Sequence, residues 1–178
     1  MDTRSGSPNP DRGPMLYEEN VPFPLVRIIM GVLFLAAFVF LVLAITYFTS
    51  GDDSQAREYT VSAIILTLIA LVSINFITLR IRITAQTLTV SYGVFRDIVP
   101  LTTITGAYPD TVRSILPCGG WGIRFGRYAG QWRKVYNAIG YQNVVVRLTG
   151  RRITELAFAT REPEKVLFLI NREIRKTS

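Results

Sequence analysis

The 178-residue sequence predicts an α+β chain: two transmembrane helices, then a β domain of about seven antiparallel strands finished by a C-terminal helix. Three observations carry that prediction. First, residues 28–48 and 59–79 form two runs of 21 residues without a charge. At about 1.5 Å per residue, a helix of roughly 20 apolar residues crosses about 30 Å of hydrocarbon. A helix of a soluble bundle keeps a polar face, and neither run has one. Second, past Leu79 the apolar period drops to two: Ile81 and Ile83 alternate with Arg80, Arg82 and Thr84, the pattern of a half-buried strand. Third, a helical period returns only after Pro163.

Taken in order, residues 1–24 read as a disordered tail, rich in Asp, Arg, Ser, Pro, Asn and Gly at its start. Val21-Pro-Phe-Pro24 approaches the membrane in extended form, because each Pro disfavours helix before it. Residues 25–79 form the transmembrane hairpin, with the polar stretch 49–58 as its loop. The second helix carries a stripe of small residues, Ala63, Thr67, Ala70 and Ser73. Such a stripe lets helices approach closely in lipid, against the first helix or against another copy of the chain. Asn75 lies near the end of the second run and gets no transport role. The connecting loop has Arg57 against Asp52, Asp53 and Glu58, whereas Arg80 and Arg82 follow the second run and Arg4, Arg12 and Arg27 precede the first. The positive-inside rule then predicts a multi-pass protein of the cell membrane with both termini cytosolic.

Residues 80–178 make the cytosolic domain. Strands are expected at 81–83, at 87–95 and at 97–104, the last at an edge because Pro100 cannot donate to a ladder. Further strands are expected near 122–125, 135–139, 144–148 and 153–159, with Thr149-Gly150 as a hairpin turn. The terminal helix starts near Pro163 and runs to about Lys176. Val166, Leu167, Leu169, Ile170 and Ile174 share one broad face of it, and Phe168 points the other way among Arg161, Lys165, Arg172 and Arg175.

Composition narrows the function. There is no histidine, which excludes His general-base catalysis and His metal ligation, and the single Cys118 excludes an internal disulfide. Cys118 has no activating base in sequence and reads as structural. The glycines at 119, 120, 122, 126 and 130 do not match a phosphate-loop spacing. Asp97, Asp110 and Glu155 are scattered, without the pairing of a hydrolase. The expectation is therefore no enzyme, no cofactor, no metal and no catalytic residue. Of the 20 Lys and Arg, 16 lie in residues 80–178 against six acids.

Several strings together resemble a family. Ile81-Arg-Ile-Thr-Ala-Gln-Thr-Leu-Thr-Val-Ser-Tyr-Gly93 follows directly on a double span. Gly120-Trp-Gly-Ile-Arg124 comes next, then aromatics up to Tyr136. Gly150-Arg-Arg-Ile153 enters the last strand, and Ala159-Thr160 with Pro163 opens the helix. Over roughly residues 60–176 this resembles the prokaryotic PH-like domain proteins that carry an N-terminal two-helix membrane anchor. The resemblance implies a PH-like bent antiparallel β-barrel of about seven strands capped by a helix, and a binding or scaffolding module rather than an enzyme. It brings no binding-residue motif.

Residues 111–154 hold eight cations and no acid, with Trp121, Phe125, Tyr128, Trp132 and Tyr136 interleaved. Basic plus aromatic is the pattern of a surface for anionic headgroups or a phosphorylated ligand. Nucleic acid fits the same pattern, but the anchor makes it the less economical partner. The alternative is that the aromatics are core and the charges solvated. The candidate membrane or partner surface comprises Arg124, Arg127, Trp132, Arg133 and Lys134 on this stretch, with Phe168 and Arg172 on the last helix. Anionic membrane lipids are the expected partners, with protein partners or self-association through the transmembrane helices beside them. An accessory subunit or assembly factor of a larger membrane complex is the alternative function.

Overall fold

The computed structural model describes residues 13–110, 122–128 and 130–177. Cys118, Trp121, Arg113 and the first two residues of the Gly120–Arg124 string lie outside them. The chain forms two compact units: Phe23–Ile77 is one, and the chain up to Pro22 together with Thr78–Ser178 is the other.

The first unit is a helical hairpin. Helix α1 spans Pro24–Ser50 and α2 spans Asp53–Ser73, followed by a short 3-10 turn at Ile74–Phe76. Both helices are long and apolar enough to cross a membrane. Their apolar side chains point outward all round, among them Leu35 at 65%, Phe38 at 62% and Leu68 at 56% exposure, which a soluble helix would bury. The expected ten-residue loop at 49–58 shrinks to Gly51 and Asp52. Gly51 takes a left-handed φ of 85° that closes α1. The Asp52 carboxylate then accepts the Gln55 N–H at 3.1 Å and opens α2 at once. Gln55, Ala56, Arg57 and Glu58 are good helix formers, so the helix outruns the apolar span. At its other end α2 stops before Leu79, where the β-branched pattern of the next strand takes over.

The helices meet along alanines: Ala37 and Ala44 on α1, and Ala56, Ala63 and Ala70 on α2, all buried. Steps of seven keep a seam facing its partner helix. Ala63 and Ala70 of the small-residue stripe thus serve the intrachain contact. Tyr59 adds stacking on Phe40 at 5.8 Å and on Tyr47 at 5.3 Å between ring centroids.

Among the described residues, the second unit holds nine strands and a C-terminal helix. Sheet A has the order β1 (Met15–Pro22), β2 (Thr78–Thr84), β3 (Thr87–Tyr92), β4 (Phe95–Pro100). Sheet B has the order β5 (Ile104–Pro109), β8 (Gln142–Leu148), β9 (Glu155–Thr160), β7 (Gln131–Asn137), β6 (Gly122–Tyr128). Helix α3 runs Pro163–Thr177. The α+β class holds, but the single bent barrel of about seven strands does not: the chain makes two sheets of four and five strands that are not closed into a barrel. One pairing is also parallel, β7 with β9, because the chain crosses from β7 to β8 before β9 inserts between them.

The expected disordered tail is corrected as well. Residues 15–22 form β1 and pair antiparallel with β2 from Met15↔Thr84 to Pro22↔Thr78. Tyr17, Glu19 and Val21 turn inward, and Glu18 and Asn20 face Arg82 and Arg80 outside. The domain therefore begins before the helical hairpin and not at Arg80; the hairpin is an insertion between two paired strands.

The core lies between the sheets. Leu79, Ile81, Ile83, Leu88, Val90 and Tyr92 of sheet A are at most 1% exposed, as are Tyr136, Val144, Val146 and Phe158 of sheet B. Tyr92 stacks on Tyr136 at 6.1 Å and donates to the Asn137 carbonyl at 2.9 Å. Pro100 ends β4, an edge strand as expected. The β5 edge is covered by α3: Asn171 accepts from the Ala107 N–H at 3.3 Å and donates to its carbonyl at 3.1 Å, standing in for a missing strand. Val166 and Ile170 are fully buried, whereas Phe168 is 59% exposed.

Candidate functional site

Within the basic aromatic stretch, Gly122–Tyr128 and Gln131–Asn137 pair as the β6–β7 hairpin, and its two faces have different fates. Residues directly opposite in an antiparallel pair share a face. Phe125 stands opposite Lys134 and Arg127 opposite Trp132, so these four lie on one face. Arg124 stands opposite Val135 and Gly126 opposite Arg133, so Arg124 and Arg133 lie on the other. At the tip, Gly130 has a positive φ of 83° and its carbonyl accepts from Arg127 Nε at 3.4 Å.

Phe125 and Trp132 are exposed at 63% and 47%, large rings at the diagonal of one face. Lys134 lies 5.0 Å from the Phe125 ring centroid and 5.1 Å from that of Tyr136. It is also paired with Asp97, which accepts the Tyr136 hydroxyl at 2.9 Å. Burial, then the Asp97 charge and hydrogen bond, push the Tyr136 phenol above its ordinary value, so it stays a donor. Lys134 is thus a neutralised, half-buried cation and Arg127 an exposed one.

Arg133 is corrected outright as a surface residue. It is 6% exposed, and its guanidinium meets Glu155 at 2.8 Å and Asp110 at 3.3 Å, with the Tyr128 ring 4.4 Å away. Tyr108 donates to the other Glu155 oxygen, and Arg147 sits 3.9 Å from it. Burial alone would raise the Glu155 carboxyl, but hydrogen bonds from Tyr108 and Arg133 and the charges of Arg133 and Arg147 hold it below the usual range. The cluster is a charge-balanced, buried network of the sheet, beside Val135, Val145 and Ala157.

Phe168 and Arg172 lie elsewhere. Helix α3 covers β5, and β6 is the opposite edge of the same sheet. Four strand spacings of about 4.8 Å put roughly 19 Å between those edges. Arg172 lies 6.0 Å from the Phe168 ring and pairs with Glu173 at 2.9 Å. The seven candidate residues therefore do not form one surface. Arg127, Trp132 and Lys134 come together, Arg124 lies on the reverse of the same strands, and Phe168 with Arg172 makes a second patch.

Sequence reading missed what adjoins Trp132. The Trp132 carbonyl accepts the Thr154 N–H at 3.0 Å, which brings the β8–β9 turn against the hairpin. A cleft of about 160 Å³ opens there, lined by Asp97, Val99, Lys134, Leu148, Arg151, Arg152, Ile153 and Leu156. Its visible signal was the pair Arg151-Arg152 after Gly150. Those two arginines are 19 and 20 residues from Trp132 in sequence, and only sheet order joins them.

No family model, no curated protein and no solved structure matches the chain.

Proposed function

We propose that this chain is a membrane-anchored, PH-like binding or scaffolding module whose β unit works at the cytosolic face of the membrane. The exposed Phe125 and Trp132 beside Arg127 carry that reading. Aromatic rings enter the headgroup–acyl boundary while neighbouring cations meet anionic headgroups. Each such cation is worth about 1 kcal/mol near an anionic surface, screened over about 8 Å at physiological salt. The helical hairpin supplies the tether, so a weak surface contact acts at high effective concentration. The Arg asymmetry across the two helices supports cytosolic termini. The PH-like assignment draws its support from the sequence strings around Gly93, Arg124 and Gly150 and from a mainly antiparallel β unit that ends in a helix.

A second reading, an accessory subunit of a larger membrane complex, is favoured by Phe168: a 59% exposed ring on α3, away from the hairpin, suits a protein contact. Amide exchange on the full chain in nanodiscs tests the choice. Residues 122–136 should be protected on anionic discs relative to neutral ones, and the protection should vanish in about 0.5 M salt. Equal exchange on both discs, with protection at α3 only when a co-purified protein is present, would replace the first reading by the second.

A further inference from the structure

We infer that the cleft between β4, β7 and the β8–β9 turn binds the phosphate monoester headgroup of an anionic amphiphile. This rests on the reading of the adjoining hairpin as lipid-facing and names the ligand class.

The walls argue for an amphiphile. Val99, Leu148, Ile153 and Leu156 are apolar, while Lys134, Arg151 and Arg152 bring three cations to one opening against the single carboxylate of Asp97. Lys134 and Asp97 cancel, since they form an ion pair with each other. The remaining surplus is two positive charges, from Arg151 and Arg152. Arg151 spends one of its five N–H donors on the Ile98 carbonyl, at 3.2 Å, which aims the guanidinium without exhausting it. Arg152 is exposed and, among the described residues, makes no hydrogen bond or ion pair. Two adjacent guanidiniums suit a phosphate monoester, which carries close to two negative charges and three acceptor oxygens near neutral pH. A diester, with one charge, leaves one arginine unmatched.

Size points the same way. About 160 Å³ is the room of about five waters. That admits a phosphate and the first carbons of its ester, not an acyl chain. The chains must leave by the mouth; Lys134 in the cleft wall shares its hairpin face with Trp132 and lies 5.0 Å from the ring of Phe125, the two rings proposed to enter a bilayer. Headgroup capture and ring insertion would then act on one lipid surface.

The test uses the full chain in a neutral maltoside detergent, titrated calorimetrically with dihexanoyl phosphatidic acid, dihexanoyl phosphatidylcholine and inorganic phosphate. The phosphatidic acid should bind saturably at one site. Phosphatidylcholine and free phosphate should each bind at least tenfold more weakly. Arg152→Gln should weaken phosphatidic acid binding about tenfold, and Arg151→Ser with Arg152→Ser further. Ile153→Trp, which fills the cleft and keeps its charges, should weaken it as much. Failure of the hairpin reading shows separately, as amide exchange of residues 122–136 that is equal on anionic and neutral nanodiscs while the soluble phosphatidic acid still binds saturably at one site. Free phosphate binding as tightly as the lipid would make this a simple anion site and overturn the amphiphile. Unsaturable uptake matched by phosphatidylcholine, or affinity unchanged in both Arg152→Gln and Ile153→Trp, would overturn the site. So would no lipid binding together with a co-purifying protein released by the arginine changes.

Discussion

Glu19 and Thr160, 141 residues apart, share a hydrogen bond of 2.6 Å, donated by the Thr160 hydroxyl to the Glu19 carboxylate. The other Glu19 oxygen accepts the Arg161 N–H at 2.9 Å, and Tyr17 donates to the same carboxylate at 2.9 Å. A residue before the helical hairpin therefore organises the entry to the last helix. Glu19→Ala would strand the buried Thr160 hydroxyl and Arg161 N–H. Bonds to a charged acceptor are worth about 1.5–3 kcal/mol.

The β unit should accordingly fold alone only when β1 is supplied. Pro22 pairs with Thr78, so the helical hairpin can be replaced by a short turn joining the two strands. Gly13–Pro22 linked to Thr78–Ser178 should give a dispersed amide NMR spectrum. The Arg80–Ser178 fragment should not, and Glu19→Ala in the linked protein should lower its unfolding midpoint. Equal dispersion from both fragments would show that β1 is dispensable.

Arg133 and Glu155 form the buried pair whose loss should be felt most. Removing one partner leaves an uncompensated charge, a cost of about 3–5 kcal/mol. Arg133→Met should therefore destabilise strongly, and adding Glu155→Leu should recover part of the loss. The pH dependence has a defined sign. The folded Glu155 carboxyl lies below its ordinary 4.5. Its contribution is fully present above that value and is lost as pH falls through the lower folded value. In Glu155→Gln, stability measured from neutral down to about pH 3 should fall less steeply than in the unmodified protein.

On α3, neighbours in sequence should behave oppositely. Ile170 is fully buried, so Ile170→Ser loses apolar contact and buries a hydroxyl, about 3–5 kcal/mol in all. Phe168→Ser should leave the melting temperature nearly unchanged and weaken membrane or partner association. A larger loss from Phe168→Ser would mean that the exposed ring is packed in solution.

For topology, in a Cys118→Ser background, a cysteine at Ser54 should react with an impermeant thiol reagent in intact cells, and one at Ser178 should not. The reverse pattern would invert the orientation derived from the arginines.

Local chemistry explains which elements were legible in the sequence. The uncharged runs gave the helices, alternation gave β2 and β3, and the faces of α3 followed from its helical period. β1 was hidden because its inward positions are Tyr17, Glu19 and Val21, and a buried glutamate breaks an apolar alternation. Its partners, Thr160 and Arg161, give no sign of themselves in sequence. The same limit governs the site. Arg133 reads as a surface cation because the sequence shows no partner for it; Glu155 and Asp110 reach it only through the β7–β9 register and the end of β5. The parallel pairing that produces this register depends on long-range sheet order, which period and turn signals do not encode.

The central claim, that the β6–β7 hairpin meets an anionic bilayer, is tested most directly at Trp132. The chain has two tryptophans, so Trp121→Phe leaves Trp132 as the sole tryptophan, excited selectively over the tyrosines. The full chain is placed in nanodiscs containing lipids brominated along the acyl chain. On anionic discs Trp132 emission should shift to the blue and be quenched, and about 0.5 M salt should reverse both effects. Emission that is unquenched, or equally quenched on neutral and anionic discs, would contradict the account.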